Sequence, residues 1–275
     1  MEFWDVIDEK GNKTGKMIER GKFPKELIHL GADVWIINSK NEILIQKRSA
    51  NKKHSPNLWA MTGGSAIAGE NSKDTILREV KEELGIDITK EKLILIKQYK
   101  VKHQTTSPVI IDTYLIKQDI NISDITMQEE ELSEVKWATW EKCEEIFDNG
   151  QFLEFRWEAV KYLLNCIRYI GKNIDVVIDR PIGSIHPEWK EHKYLTNYGY
   201  VPNTISGDGE EIDCYILGEN KALKEYIGKC IALIHRLDDN DDKLVIVPKN
   251  TDYTNEQIKK LVEYQEQYFK SIIIR

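Results

Sequence analysis

The sequence predicts an α/β protein in two parts, a mixed strand and helix domain over residues 1–172 and a smaller strand-rich domain over 173–275. Three observations carry that reading. The chain has 275 residues, more than one ordinary domain requires. An amphipathic helical pattern over 151–170 gives way at Gly171-Lys172-Asn173 directly to strand-type sequence. Ahead of it, Gly64 to Ile86 (GSAIAGENSKDTILREVKEELGI) sets one strong helix among short strands. With 41% hydrophobic and 31% charged residues there is material for two cores and no disorder-type bias.

In order, Phe3 to Ile7 reads as a strand, and Glu9-Lys10-Gly11-Asn12 as a turn into a second stretch ending near Arg20, which makes a hairpin. Ala32 to Ile37 has the unbroken apolar character of a buried strand. Asn38 to Asn41 is a turn, and Glu42 to Arg48 returns as a second strand paired with the first. The tract from Gln46 to Gly64 follows, where Pro56 and Gly63-Gly64 mark irregular backbone able to approach a ligand closely. Gln46, Lys47, Arg48 and Lys53 are its candidates to face phosphate; each alone reads equally as a solvated loop residue. The helix starts near Ser72, a good N-cap residue, and stops at Gly85. Leu93 to Val101 and Val109 to Lys117 are strand-like, and the helix over 151–170, capped by Gly171, closes the first domain.

The helix from Ser72 has two functional faces. Ile76, Val80 and Leu84 recur at i, i+4, i+8 as a core face, while Glu79, Glu82 and Glu83 recur at i, i+3, i+4 on another. Carboxylates so spaced repel by about 0.2–0.5 kcal/mol, which makes better sense with a cation on them. Hard cations such as Mg²⁺ take carboxylate oxygens. The full spacing is Gly64, five residues, Glu70, seven residues, Arg78-Glu79-Val80, Lys81, Glu82-Glu83, Leu84, Gly85-Ile86. It resembles the Nudix box at every position. The resemblance implies an α/β/α sandwich that uses Mg²⁺ or Mn²⁺ to hydrolyse a diphosphate linkage in a nucleoside diphosphate joined to another group. It implies Glu79, Glu82 and Glu83 as metal ligands, Glu82, Glu83 and Arg78 as catalytic, with Arg78 orienting a carboxylate, and Gly64 and Glu70 as loop positions. Gln128 to Trp137 is similar to a later family segment whose acid assists the metal or the attacking water. Glu130 and Glu131 are its candidates, Glu131 being the one taken here. Lys47 and Arg48 are the expected phosphate contacts.

The same region resembles, more distantly, the isopentenyl-diphosphate isomerases, through Trp4-Asp5-Val6, Gly11-Asn12 and Leu44 to Ser49. Those enzymes use a cysteine for proton transfer in the loop before the box. Here Trp59 to Gly64 has none, and proton transfer to carbon needs a positioned acid, so hydrolysis is the expectation.

In the second domain, Asp175 to Pro181, Lys193 to Pro202, Asp208 to Asp213 and Arg236 to Pro248 together resemble a family I soluble inorganic pyrophosphatase, a small β-barrel (α+β). That family holds Mg²⁺ around pyrophosphate with several acids. The resemblance implies Asp208, Asp213 and Asp241 as metal ligands and Tyr198 and Lys243 as phosphate contacts. This chain departs from the pattern. The family's Asp-x-Asp-Pro-x-Asp falls on Asp208, Glu210, Glu211 and Asp213, and a later acid falls on Asp238 or Asp239. Phe269 follows Tyr268 where a lysine is expected, with Lys270 one place late, and the basic residues usual before the tyrosine segment have no clear counterpart in Ile182 to His192. Loss of phosphate-binding cations weakens the case for turnover more than for metal binding.

The net charge of −7 argues against a nucleic-acid partner, since such binders present a basic surface. A small-molecule phosphate is the expected partner, with a homodimer as a further expectation. The N-terminus MEFWDVIDEKGNK has no basic then apolar leader, and no uncharged apolar run reaches membrane-span length, so a cytoplasmic location is expected. Cys143, Cys166, Cys214 and Cys230 form no Cys-x-x-Cys pair and are expected buried and reduced. The expected function is a Mg²⁺-dependent Nudix hydrolase whose second domain hydrolyses released pyrophosphate. The alternative is a second domain that only binds phosphate or mediates assembly. A non-enzymatic sensor has no need of Glu79, Glu82 and Glu83 together.

Overall fold

The computed structural model describes residues 1–102, 107–186, 189–191 and 193–275. Strands β1 (Phe3–Ile7) and β2 (Lys13–Glu19) pair antiparallel as the expected hairpin. The central strand β3 (His29–Ile37) is nearly all buried and runs into β4 (Ile43–Arg48), but the two pair only at Ile37 and Ile43. They splay beyond that point. After β5 (Trp59–Ala60), β6 (Thr62–Ser65) takes the place beside β3 that β4 leaves. Next come helix α1 (Ser72–Leu84), β7 (Ile94–Val101), β8 (Val109–Lys117) and β9 (Leu132–Ala138); β8 pairs parallel with all of β3, and β9 pairs with β4. Helices α2 (Trp140–Asp148) and α3 (Glu154–Glu158) follow.

Strand alternation decides what each face of this sheet covers. Ala32, Val34 and Ile36 meet Ile76, Val80 and Leu84 of α1 in one core. Each of these helix side chains is fully buried, and truncating one to Ala would cost about 2–5 kcal/mol. Trp35, pointing the other way, packs with Phe152 and Trp157, while Trp157 donates to Glu144 of α2 at 2.7 Å. Helices therefore lie on both faces, and the unit is an α/β/α sandwich.

The single helix expected over 151–170 is a correction. It breaks at Ala159-Val160 into α3 and α4 (Lys161–Ile167), because its apolar residues serve two cores. Trp157 belongs to the first unit, Met1–Val160; α4 packs on a strand of the second, Lys161–Arg275. By packing, the division falls after Val160.

The second unit continues with β10 (Asn173–Arg180), β11 (Asn197–Val201), β12 (Ile212–Ile216), β13 (Glu225–Arg236) and β14 (Lys243–Val247). These five close a barrel in the order β10-β11-β12-β14-β13 and back to β10, with β12 and β14 parallel. Helix α5 (Asn255–Glu266) opens on a Thr254/Gln257 capping box and buries Ile258 and Val262 against Tyr198, Tyr215 and Val245. Strand β15 (Ser271–Ile274) pairs with β13. The four cysteines are buried and free, as expected, and among the described residues no helix is long and apolar enough to cross a membrane.

Candidate active site

Helix α1 starts and stops nearly where its sequence says. Its cap is Asn71, not Ser72: Asn71 has extended backbone and its side chain accepts from the Asp74 N–H at 3.1 Å. The Ser72 hydroxyl is instead 2.7 Å from the Tyr114 hydroxyl. Gly85 ends the helix at φ 71°, a left-handed value that suits glycine.

Arg78 ties the acids together. Its Nε donates to Glu70 Oε1 at 2.8 Å and its Nη2 to Glu70 Oε2 at 3.3 Å, while Nη1 reaches Glu79 at 2.8 Å and Glu82 at 3.0 Å. Nη2 also donates to the Ser65 carbonyl at 3.1 Å, fixing helix to loop. Burial opposes the charge of Arg78, but hydrogen bonds and charge from Glu70 and Glu79 outweigh it and raise its pKa. Glu70 in turn accepts from Thr75 and the Ile67 N–H, so it acts on the cluster by holding Arg78.

The three helix acids do not share one environment. Glu82 is half exposed on Arg78. Glu79 lies over Gly64, where a Cβ would stand 2.2 Å from its Oε1. Glu83 is buried and accepts from Gln46 Nε2 at 2.7 Å, whose carbonyl oxygen accepts from Thr62. Gln46 thus serves a carboxylate rather than a phosphate. Burial first, then the charges of Glu79 and Glu131, push the Glu83 carboxyl up to about 8 against the pull of Gln46. Burial likewise raises Glu79, which Arg78 pulls down and Glu82 and Glu131 push up. Glu131, ion-paired with Lys52, therefore stands within electrostatic reach of both, whereas Glu130 is exposed. Among the described residues, no set of three His, Cys, Asp or Glu side chains stands in ready metal-coordinating geometry.

Lys47 and Arg48, expected together on phosphate, point to opposite sides of β4. Lys47 lies 5.9 Å from the Trp59 ring centroid, away from Glu83, because successive strand residues alternate. Arg48 stays on the Gln46 side and donates to the carbonyls of Ser55 and His54 at 3.1 and 3.0 Å. Lys53 lies in the same loop tract, and no phosphate contact is assigned to it. The sequence reading missed Asp33 and Arg156, an ion pair at 3.2 Å beside Met61. The available signal was a lone acid in the apolar run from Ala32 to Ile37.

In the second unit, Tyr198 donates to Asp213 at 2.5 Å and Lys243 Nζ lies 2.7 Å from the same oxygen. Lys243 is buried and also ion-pairs with Asp241. Burial raises the Asp241 carboxyl and Lys243 pulls it back. Arg236, also buried, meets Asp239 at 3.2 Å, Asp241 at 3.3 Å and Glu266 at 2.7 Å, with its guanidinium 3.5 Å from the Phe269 ring centroid. Asp208 does not join: it is exposed and accepts from the Glu210 N–H at 3.0 Å, held out by its own turn. Asp238 accepts from the Lys270 N–H at 3.0 Å. The expected trio of Asp208, Asp213 and Asp241 is thus not assembled, and the two members that meet do so through a lysine. Of the stretch from Ile182 to His192, residues Pro187, Glu188 and His192 lie outside the described residues.

Residues 27–161 match the NUDIX domain family and residues 172–273 the Inorganic pyrophosphatase family. An uncharacterized Nudix hydrolase of Listeria innocua is 38% identical over 159 residues, covering 56% of this chain and 90% of that relative. An isopentenyl-diphosphate Delta-isomerase of Citrobacter koseri is 31% identical over 86 residues, covering 30% of this chain and 48% of the relative. A solved structure from Deinococcus radiodurans covers 55% of this chain and 91% of its own at 23% identity, with a TM-score of 0.45. Both families are generally dependent on divalent metals and act on small-molecule phosphates. The chain belongs to the Nudix hydrolases and carries an inorganic pyrophosphatase domain behind its Nudix domain.

Proposed function

We propose that the first unit hydrolyses a diphosphate linkage in a nucleotide or nucleoside diphosphate derivative with Mg²⁺, or Mn²⁺ in its place, held by Glu79 and Glu83 with Glu82 beside them. The carrying observation is Glu83, buried against the charges of Glu79 and Glu131 with a neutral amide as its partner. Hard oxygen donors that repel one another suit a divalent cation, and Gly64 leaves Glu79 the space it occupies. When bound, the metal supplies charge neutralisation at phosphate and a more acidic water. Arg78 keeps Glu79 and Glu82 in place. Gln46 holds one Glu83 oxygen and leaves the other for the cation, and Glu131 is the acid placed to accept a proton from water attacking phosphorus. The buried free thiols support a reducing, cytoplasmic setting. The test is hydrolysis of dATP, ADP-ribose, UDP-glucose and diadenosine tetraphosphate, with Mg²⁺ or Mn²⁺ and with chelator. Metal-dependent cleavage of at least one supports the reading; no cleavage of any sinks it.

For the second unit one observation favours a role without hydrolysis: Lys243 and Arg236 already occupy Asp213, Asp239 and Asp241. Those acids do not fit the three-acid metal site that the family resemblance implied, and no metal step is assigned to them. Orthophosphate should not accumulate when the intact protein is given pyrophosphate and Mg²⁺. Orthophosphate release that an Asp213→Asn variant loses would restore the pyrophosphatase reading.

A further inference from the structure

Asp33 sits in the middle of an apolar strand and is fully buried. A carboxylate withdrawn from water needs a cation, and Arg156 provides one, its Nη1 at 3.2 Å from Asp33 Oδ2, with the Tyr99 hydroxyl 3.5 Å from the same oxygen. That contact uses one corner of the guanidinium. The same Nη1 touches Met61 Sδ at 3.5 Å, while Nε is buried without a hydrogen-bond partner and the side chain keeps 16% of its surface open. Arg156 thus keeps donors beyond those that Asp33 uses.

Short contacts link Arg156 to the acids of α1. Met61, against Arg156, accepts from Gln46 Nε2 at 3.4 Å through its carbonyl, and Gln46 donates to Glu83. The charge of Arg156 is felt at Glu83 and at Arg48, which lies two residues beyond Gln46 on the same side of β4. Two guanidiniums therefore repel one another, Arg48 within reach of Glu83 and Glu131 and Arg156 within reach of Glu83. Among the described residues neither forms an ion pair with those acids: Arg156 is held by Asp33, and Arg48 by loop carbonyls. Arg48 with only carbonyl partners, and Arg156 with N–H groups left over after Asp33, suit a ligand that is itself anionic and brings a metal with it.

We infer that Arg156, together with Arg48, grips the phosphate adjacent to the phosphorus under attack, with Asp33 as the residue that positions Arg156. The inference rests on the hydrolase reading above and deepens it. A guanidinium fork takes two oxygens of one phosphoryl group, so the arginines hold one phosphate of the diphosphate while the metal and acids work on its neighbour. A compound with a single phosphate leaves the arginines unmet.

The experiment measures kcat and KM of the full chain on whichever of dATP, ADP-ribose, UDP-glucose or diadenosine tetraphosphate it cleaves fastest. Losing a charge-assisted contact should raise KM about tenfold or more in Arg156→Gln, with a smaller fall in kcat. Arg156→Lys should recover part of the loss. Because Arg156→Gln strands a buried Asp33, the double variant Asp33→Asn/Arg156→Gln is measured too; it should regain thermal stability but not KM. Glu83→Gln should lower kcat instead. A double variant with KM within about twofold of wild type overturns the inference and leaves the hydrolase reading standing. Failure of the wild type to cleave any of the four overturns that reading and the inference with it.

Discussion

In the first unit Glu83 is buried beside the charges of Glu79 and Glu131, and the group that meets it is the neutral amide of Gln46. In the second, Asp213 and Asp241 are each about a quarter exposed, and both meet Lys243, with Arg236 on Asp241 from another side. Both arrangements gather acids in a low-dielectric place, and both need positive charge. The difference lies in its source. Lys243 and Arg236 come with the chain, so the barrel's acids are neutralised in the protein as it folds. The acids on α1 keep their repulsion, because Arg78 is engaged chiefly by Glu70, Glu79 and Glu82 and leaves Glu83 alone. A buried acid raised this far marks a site where an external cation or a proton completes the balance. Two acidic motifs of similar sequence density therefore carry different expectations of metal dependence.

The sharpest way to break this comparison is Glu83→Gln. It should leave the fold intact by circular dichroism and lower hydrolysis by at least about a hundredfold, as for loss of a metal ligand. An unchanged rate at saturating Mg²⁺ would remove Glu83 from the site. In the second unit, Lys243→Met leaves two acids facing each other without their cation. Urea denaturation should show a loss of about 3 kcal/mol, at the low end for a buried pair because each acid is about a quarter exposed. A loss below about 0.5 kcal/mol would mean that the acids do not depend on it. Gly64→Ala is subtler: its Cβ would displace the Glu79 carboxylate, which can swing away, so hydrolysis should fall about tenfold with little change in melting temperature. A last test is on pH. The Glu83 carboxyl stands at about 8 in the fold against 4.5 as the ordinary value, so the native chain holds a proton that the unfolded chain releases between them. Stability of the metal-free protein should decline from pH 4.5 to 8 relative to Glu83→Gln and run parallel above that range. Parallel curves throughout would show that Glu83 is ionised at neutral pH.

How much of this was legible in the sequence depends on range. The core face of Ile76, Val80 and Leu84 and the Gly85 stop follow from spacing within one helix, and the structure reproduces them, whereas the organising role of Arg78 was implied only by the family resemblance. The separation of Glu82 from Glu83 did not follow. Helical spacing places both on neighbouring lines, and only Gln46, from a strand distant in sequence, decides that Glu83 turns inward. Lys47 and Arg48 read alike in sequence but alternate in the strand, so only one remains beside the acids. The pattern over 151–170 was read as one helix because apolar spacing cannot say which core each residue joins. In the barrel, the order of acidic loops was visible, but the buried Arg236, its hold on Glu266 and the withdrawal of Asp208 needed three-dimensional pairing.

The central claim, that the α1 acids await an external divalent cation while the barrel's acids carry their own, is tested most directly by titrating Mn²⁺ into the full chain and its Glu83→Gln and Asp213→Asn variants, with free Mn²⁺ followed by electron paramagnetic resonance. The account predicts tight binding to the wild type that Glu83→Gln weakens by at least about tenfold and Asp213→Asn leaves unchanged. Tight binding that survives Glu83→Gln and is lost in Asp213→Asn would contradict it.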